Sequence, residues 1–210
     1  MEFKNTKKKI YFPLKYKKLN IDLINSKIFM EVPSNIDFEI NINSKNSTFL
    51  LNLISLSSKI NKINLNSKNS KIKINFVIFD KDLEGRTDID IVSEDSEINI
   101  FLINLLNTAL RDIKVKLFGN KSYGKIEIES INIKNSKILS LPALEIKGFS
   151  KIEHNFIFSS IDKNKIFYLQ SKGIPDCLKF ILYNKIKNKL EIHNRRVKKI
   201  LKREIDNILR

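Results

Sequence analysis

Hydrophobic and polar residues alternate over most of the first 160 positions. Ile36, Phe38, Ile40 and Ile42 are spaced by two, and the same spacing returns near residues 72–74, 89–91, 98–100, 113–117, 126–128 and 131–133. A period of two places successive side chains on opposite faces of an extended chain. The pattern therefore predicts a series of half-buried β-strands.

One stretch departs from this alternation. In residues 101–111 the apolar positions also fit the 3.6-residue period of a helix. The pattern fits a strand and a short helix equally well in this stretch. The positions are Phe101, Leu102, Leu105, Leu106, Ala109 and Leu110.

Short polar connectors separate the predicted strands. The triplet Asn-Ser-Lys occurs at 25–27, 43–45, 66–68, 69–71 and 135–137, and the first two intervals are 18 and 23 residues. Intervals of this size match one rung of a solenoid, and asparagine tolerates the left-handed backbone of a tight corner. The Asn-Gly and Asp-Gly pairs that favour short hairpins are missing from the sequence. These features favour a parallel β-solenoid over an antiparallel sandwich.

The period becomes helical after residue 160. Asp162 is a suitable N-cap with Ile161 and Ile166 as a hydrophobic staple, Gly173 suits a left-handed helix end, and Pro175 suits the start of another helix. Two amphipathic helices are predicted after Pro175, with a break near residues 193–194. We expect one apolar face to pack on the end of the β-solenoid and part of another to remain available for docking.

These patterns divide the chain into three regions: a basic lead-in at 1–20, a β-core at 21–160 and a helical region at 161–210.

Three blocks in this order resemble the C-terminal core of the SufB/SufD family of iron–sulfur cluster assembly scaffold proteins. They are Leu141-Pro-Ala-Leu-Glu-Ile146, Ile152-Glu-His154 and Ile166-Phe-Tyr-Leu-Gln-Ser-Lys-Gly-Ile174. Upstream, Lys121-Ser-Tyr-Gly-Lys-Ile126 resembles the family's short glycine-containing strand. The family's N-terminal helical region has no counterpart here, so the chain resembles a short member.

The resemblance implies a right-handed parallel β-helix and a non-catalytic, SufD-like role. Such a subunit pairs through its β-helix with a SufB-like or identical chain and docks the SufC ATPase. His154 stands where SufD-like members carry a histidine that serves a transient iron–sulfur cluster at the subunit interface. An imidazole can ligate iron through one nitrogen; the alternative is a structural histidine at a strand end.

The resemblance also implies a SufC-docking surface around the first helix and the start of the second. From the pattern alone, Phe167, Tyr168 and Leu169 are expected to be core residues that pin the first helix onto the last β-rung, and docking is the alternative that the resemblance implies. The expected docking residues are Ile166, Phe167, Tyr168, Leu169, Gly173, Ile181 and Leu182.

Two departures from the family pattern favour the SufD-like role. The chain reads Glu127-Ile-Glu-Ser-Ile131 where SufB-like members place the scaffold cysteine, and Asn155 stands where they place an acidic residue. A thiolate is the soft ligand that a cluster requires. The single cysteine, Cys177, lies elsewhere and is expected to be a buried thiol on a helix.

Charge suggests the competing function, a basic β-solenoid module for nucleic acid or another polyanion. The formal net charge is +16. The lysines are, however, scattered through strands and turns rather than gathered in one stripe with aromatic residues. We therefore expect nucleic-acid binding to be the less favoured function.

The sequence contains no phosphate-binding loop, no dinucleotide fingerprint and no zinc-ligand spacing, so we expect neither an independent enzyme nor a nucleotide bound by this chain. The lone cysteine fits a reducing compartment. A secretion signal and an apolar run long enough to span a bilayer are missing, so we expect a cytoplasmic protein without membrane contact.

Overall fold

Twelve strands and three helices make up the described part of the chain. The computed structural model describes residues 1–56, 59–80, 85–106, 111–133, 143–160, 163–173, 176–190 and 192–209. The strands are β1 Glu2–Lys4, β2 Lys7–Tyr11, β3 Lys18–Ile24, β4 Lys27–Ser34, β5 Phe38–Lys45, β6 Thr48–Leu56, β7 Ile60–Lys68, β8 Lys71–Asp80, β9 Gly85–Glu94, β10 Glu97–Leu106, β11 Arg111–Asn132 and β12 Ala143–Ser160. The helices are α1 Lys163–Ser171, α2 Cys177–Leu190 and α3 Arg195–Leu209.

The strands form a parallel β-solenoid. This fold was predicted from the hydrophobic alternation and from the lack of Asn-Gly and Asp-Gly pairs in the sequence. Odd-numbered strands stack on one another in one layer and even-numbered strands in a second. The long strands β11 and β12 run through both layers, and every strand pair among the described residues is parallel. The right hand of the coil stays a prediction.

Isoleucine and leucine columns fill the space between the two layers. Ile40 pairs in register with Ile63, and Ile63 with Ile89, so identical side chains stack from rung to rung. The rings of Phe38 and Phe76, which belong to opposite layers, lie 6.1 Å apart across this core. Each fully buried aliphatic side chain contributes about 1.5–3 kcal/mol, which makes this core the main source of stability.

The chain turns from the odd to the even layer at corners that share one backbone conformation. A residue with positive φ begins each corner, at positions 5, 25, 46, 69, 95, 121 and 148, which are 20 to 27 residues apart. Asparagine fills the first four positions, and Asp95, Lys121 and Gly148 fill the others. Asparagine and aspartate tolerate this conformation because their short polar side chains hydrogen-bond locally.

A serine follows most of these corner residues and ties neighbouring rungs together. The Ser47 amide donates to Ser70 Oγ at 3.1 Å, and Ser70 Oγ donates to the Lys68 carbonyl at 2.8 Å. The same pattern joins Ser26 to Ser47, Ser70 to Ser96 and Ser96 to Ser122. The hydroxyls thus satisfy buried amides at the points where the chain leaves the strand.

Three expectations about organisation change. The lead-in at 1–20 contributes β1 and β2, so the solenoid begins at residue 2. Residues 101–106 belong to strand β10, whereas 107–110 lie outside the described residues. Of the Asn-Ser-Lys triplets, those at 25–27 and 69–71 form corners, those at 43–45 and 66–68 end strands, and 135–137 lies outside the described residues.

Helices α2 and α3 cover the outer face of the even layer. Their buried apolar residues, including Leu182 and Leu201, pack on outward-facing residues such as Val77, Ile103 and Ile131. The expectation that they pack on the end of the solenoid is therefore wrong, because strands β6, β8 and β10 carry apolar residues on both faces. Cys177 is buried, as predicted.

Two buried polar side chains of the sheet fix the link between α2 and α3. Glu31 accepts from the backbone amides of His193 and Asn194 at 2.8 and 3.1 Å, and Asn52 donates to the Leu190 carbonyl. Asn194 caps α3 by accepting from the Arg196 amide at 2.8 Å. The predicted break near residues 193–194 is confirmed.

Helix α1 ends as the sequence predicts. Gly173 has a φ of 76°, and its amide donates to the Gln170 carbonyl at 2.9 Å. The predicted N-cap Asp162, the staple residue Ile161 and the residues Ile174 and Pro175 lie outside the described residues.

Candidate functional site

The two ends of the solenoid differ in how their edge strands are protected. At the N-terminal end, β1 and β2 are only 3 and 5 residues long, and β2 carries three lysines. Short, lysine-rich edge strands resist pairing with other chains. At the other end, β12 is 18 residues long and, within the described residues, pairs only with β11. Among the residues that the structure describes, its far edge therefore has backbone groups without a pairing strand, which a partner strand could bind.

The inward-facing residues of β12 form an apolar surface at this C-terminal end. Leu144, Ile146, Ile152 and Phe156 are half-buried and pack on the core from one side. Since no further strand stacks on them within the described residues, their other side is open. We call this surface, together with His154, the end surface.

His154 lies at the centre of the end surface. It pairs in register with Ile126, whose side chain faces the core. The imidazole therefore stacks next to Ile126, at the C-terminal end of a column of core side chains. The side chain is exposed, and its ring centroid lies 6.2 Å from that of Phe156. Glu153, the adjacent acid, points to the opposite face of the strand and lies 3.3 Å from Lys151. The imidazole is thus free to contact a partner or a ligand.

The described residues do not supply a complete metal site. Within them, no cluster of three or more histidine, cysteine, aspartate or glutamate side chains is close enough to hold a metal ion.

Helix α1 presents exposed aromatic residues. Phe167 is 74% exposed and Tyr168 is 59% exposed, with the Lys172 ammonium 5.7 Å from the Tyr168 ring centre. Their interpretation as core residues that pin the helix is therefore wrong. Large exposed aromatic side chains on a helix are typical of protein-interaction sites.

The other predicted docking residues differ in accessibility. Ile166, Leu169 and Ile181 are half-buried and Gly173 is exposed, whereas Leu182 is fully buried against the even layer. Leu182 can therefore contact no partner while α2 stays in place. Sequence reasoning missed Phe180, which is 49% exposed on α2.

A group of positive charges lies on the outer face of α3. The outer face of α3 carries exposed Arg195, Arg196, Lys199 and Lys202, with Lys9 of β2 close by, since Lys9 and the α3 cap residue Asn194 line one shallow pocket. By contrast, opposite charges alternate across the outer face of the odd layer, where the register is Lys18, Glu39, Lys62, Asp88 and Lys114. A polyanion would therefore meet stronger attraction at α3 than on the odd layer.

Comparison with known proteins found no match. No protein-family model matches the chain, and no curated protein matches it. No helix within the described ranges has the length and apolarity needed to cross a membrane.

Proposed function

We propose that this chain is a non-catalytic, SufD-like subunit of a cytoplasmic SufBCD-type iron–sulfur cluster assembly complex. The observation that carries the proposal is the unpaired edge of β12 with the end surface around His154. The parallel β-solenoid is the fold that the resemblance to the SufB/SufD family implies, and the three blocks that carry this resemblance lie in and around β12 and α1.

The proposed first partner is a SufB-like chain or a second copy of this chain, bound at the end surface. Strand addition to β12 would pair its free backbone groups, while the apolar residues beside His154 would be removed from water. Burial of apolar area contributes roughly 25 cal/mol per Å². Both terms favour association at this end, whereas the short, lysine-rich edge strands at the N-terminal end disfavour strand addition there.

The proposed second partner is a SufC-type ATPase, docked on α1 through Phe167 and Tyr168. Energy coupling belongs to this partner, because the chain contains no phosphate-binding loop. Aromatic anchors of this size dominate the binding energy of many interfaces.

A pull-down with the SufC-type ATPase of the same organism tests the docking. Replacing Phe167 and Tyr168 together by serine should weaken ATPase binding at least about tenfold, since each hot-spot residue is worth about 2 kcal/mol or more. Tyr16→Ser is the matched control, because Tyr16 is 72% exposed in the segment between β2 and β3. Equal binding by the two variants would contradict docking at α1.

Deletion of residues 175–210 would be a poor test of docking. It removes α2 and α3, whose burial covers the apolar outer face of β6, β8 and β10. The truncated chain is therefore expected to lose its β-structure. Point substitutions on α1 avoid this ambiguity.

The His154 imidazole is proposed to contribute one ligand to a nascent cluster, which is the cargo of the complex. His154→Ala should leave ATPase binding intact and lower the iron content of the reconstituted complex. Iron and sulfide analysis of the purified complex measures this. Unchanged iron loading would leave His154 with a structural role.

Binding of a polyanion is the second candidate function, favoured by the basic outer face of α3. A nucleic-acid interaction would be strongly salt-dependent, with the affinity falling as ions compete for phosphate. Replacing Arg195 and Lys199 by glutamine should then weaken binding of single-stranded RNA. If both forms bind RNA equally or not at all, this candidate fails.

A further inference from the structure

A groove lies on the outer face of the odd layer, on the side of the solenoid opposite α2 and α3. Its volume is about 450 Å³, which falls in the size range of ligand sites in proteins. Two rows of side chains, each running from rung to rung, form its sides. The first row is Asn41, Asn64, Asp90 and Lys116, and the second row is Asn43, Asn66, Val92 and Phe118. We call this site the odd-layer groove.

A ladder of side-chain amides fixes the orientation of Asn64 in the first row. Asn64 Nδ2 donates to Glu39 Oε1 at 3.2 Å and to Asn41 Oδ1 at 2.6 Å. The Glu39 carboxylate, which pairs with Lys18 at 3.3 Å, can only accept. The Asn64 amide must therefore turn its Nδ2 towards this carboxylate. Its Oδ1 remains without a donor among the described residues, and the next side chain in register is the carboxylate of Asp90.

Two further acceptors in the groove are in the same condition. Asn43 Nδ2 donates to the Asp22 carboxylate at 2.8 Å, which leaves Asn43 Oδ1 without a donor in the described part of the chain. Asp90 makes no hydrogen bond or ion pair to any described residue. All three acceptors belong to side chains that reach solvent, because Asn43 is exposed and Asn64 and Asp90 are half-buried. A ligand in the groove must therefore supply several hydrogen-bond donors.

The groove is electrically neutral. Among the residues that line it, Asp90 and Lys116 carry opposite charges, so the net charge is zero. Lys116 is half-buried and has no ion-pair partner among the described residues, so its ammonium can donate to a ligand. This balance favours a neutral polar ligand over an anion or a cation.

Exposed apolar side chains lie beside these polar groups. Val92 is 55% exposed and Phe118 is 37% exposed. A second depression of about 790 Å³ shares both residues, together with Asn43 and Asn66, so the apolar surface continues past the groove. A ligand with one apolar face would remove this surface from water.

We propose that the odd-layer groove binds a neutral saccharide. The hydroxyl groups of a sugar are donors on adjacent ring carbons, which suits the closely spaced oxygens of Asn43, Asn64 and Asp90. The C–H face of the ring covers Val92 and Phe118. An extended peptide fits less well, because it advances about 3.3 Å for each backbone N–H group. This site rests on no part of the proposed assembly function.

Chemical-shift titration of the ¹⁵N-labelled full chain tests the site. The probes are glucose, galactose, mannose and N-acetylglucosamine, together with the disaccharides maltose, lactose and chitobiose. Titration to about 10 mM detects dissociation constants of about 1 mM. At least one probe should bind and shift the amide signals of β7, β9 and the first half of β11.

Two substitutions test the polar and the apolar contacts. Asp90→Ala should weaken binding about tenfold, because it removes a charged acceptor. Its matched control is Asp112→Ala, since Asp112 is an exposed aspartate of β11 that does not line the groove. Phe118→Ser should also weaken binding about tenfold, because it removes the apolar face. Its control is Tyr123→Ser, because Tyr123 is 57% exposed where β11 pairs with β10 in the even layer.

The outcomes decide the proposal without dependence on any one variant. Asp90 has no hydrogen-bond or ion-pair partner among the described residues, so its replacement is expected to be tolerated, and circular dichroism checks the fold of each variant. A lack of binding by every probe would overturn the proposal. So would shifts confined to the end surface or to α3, or equal affinities in Asp90→Ala and Asp112→Ala.

Discussion

Replacing Ser70 by alanine removes one rung of the serine ladder at the corners. Ser70 Oγ accepts from the Ser47 amide at 3.1 Å and from the Ser44 hydroxyl at 3.1 Å, and it donates to the Lys68 carbonyl at 2.8 Å. All three contacts lie at a buried or part-buried corner. Alanine keeps the backbone and the volume nearly unchanged, so the hydrogen bonds are what the substitution removes.

The expected loss follows from these contacts. Each hydrogen bond contributes about 0.5–1.5 kcal/mol net, and a buried amide left unpaired costs about 1–3 kcal/mol. The free energy of unfolding should therefore fall by about 2–4 kcal/mol. For a chain of this size, 1 kcal/mol corresponds to about 2–4 °C in melting temperature, so the midpoint should fall by roughly 5–15 °C.

Ser93→Ala is the matched control. Ser93 is buried beside another corner, but its hydroxyl finds no hydrogen-bond partner among the described residues. Its removal should change the stability by less than about 1 kcal/mol, or raise it. Urea unfolding followed by circular dichroism measures both variants. If Ser70→Ala and Ser93→Ala shift the midpoint equally, the ladder does not stabilise the corners as described.

Further substitutions test the core, a corner and an ion pair. Ile128→Lys should abolish cooperative unfolding, because Ile128 is 2% exposed and a buried charge costs several kcal/mol; a native-like melting curve would contradict the assigned core face. Gly148→Ala should cost more than Gly173→Ala, since both have positive φ but only the first would collide with the facing strand; equal costs would contradict this corner geometry. Because the Lys71 hydrogen bond lowers the folded pKa of Glu97, the pair stabilises above the ordinary carboxyl pKa and loses this contribution as pH falls through the folded value. Glu97→Gln should flatten that acid decline, and an unchanged stability–pH profile would contradict it.

The solenoid was predictable because its strands carry a strong period of two. The number of residues per rung was harder to predict. The corner residue varies in type, and the number of residues between successive corners increases along the chain. Lys121 adopts a positive φ that no propensity would assign to lysine. Some Asn-Ser-Lys triplets lie at corners and others at strand ends. The 18-residue interval joins a corner at 25–27 to a strand end at 43–45, so it is not the length of a rung.

Two segments could not be assigned correctly from the sequence alone, for physical reasons. Strand β10 is apolar on both faces because the core lies on one side and α2 and α3 on the other, and a continuous apolar run imitates a helix. The lysines that set residues 1–20 apart as a basic lead-in include those of strand β2, where they are typical of a protected edge strand.

The role of the candidate site stays a prediction. The resemblance pointed to residues around His154 and α1, and the structure presents both to solvent. The exposure of Phe167 and Tyr168 could not be predicted, because α1 is short and apolar on several sides and its pattern does not say which side is covered.

Purification of the tagged chain from its own cells, with identification of every stoichiometric partner, tests the central claim most directly. The proposed function predicts an ABC-type ATPase together with a SufB-like chain or a second copy of this chain. The variant in which Phe167 and Tyr168 are both serine should retain the β-solenoid partner and lose the ATPase. Purification of the unmodified chain without an ATPase, or with nucleic acid as its sole companion, would contradict the account.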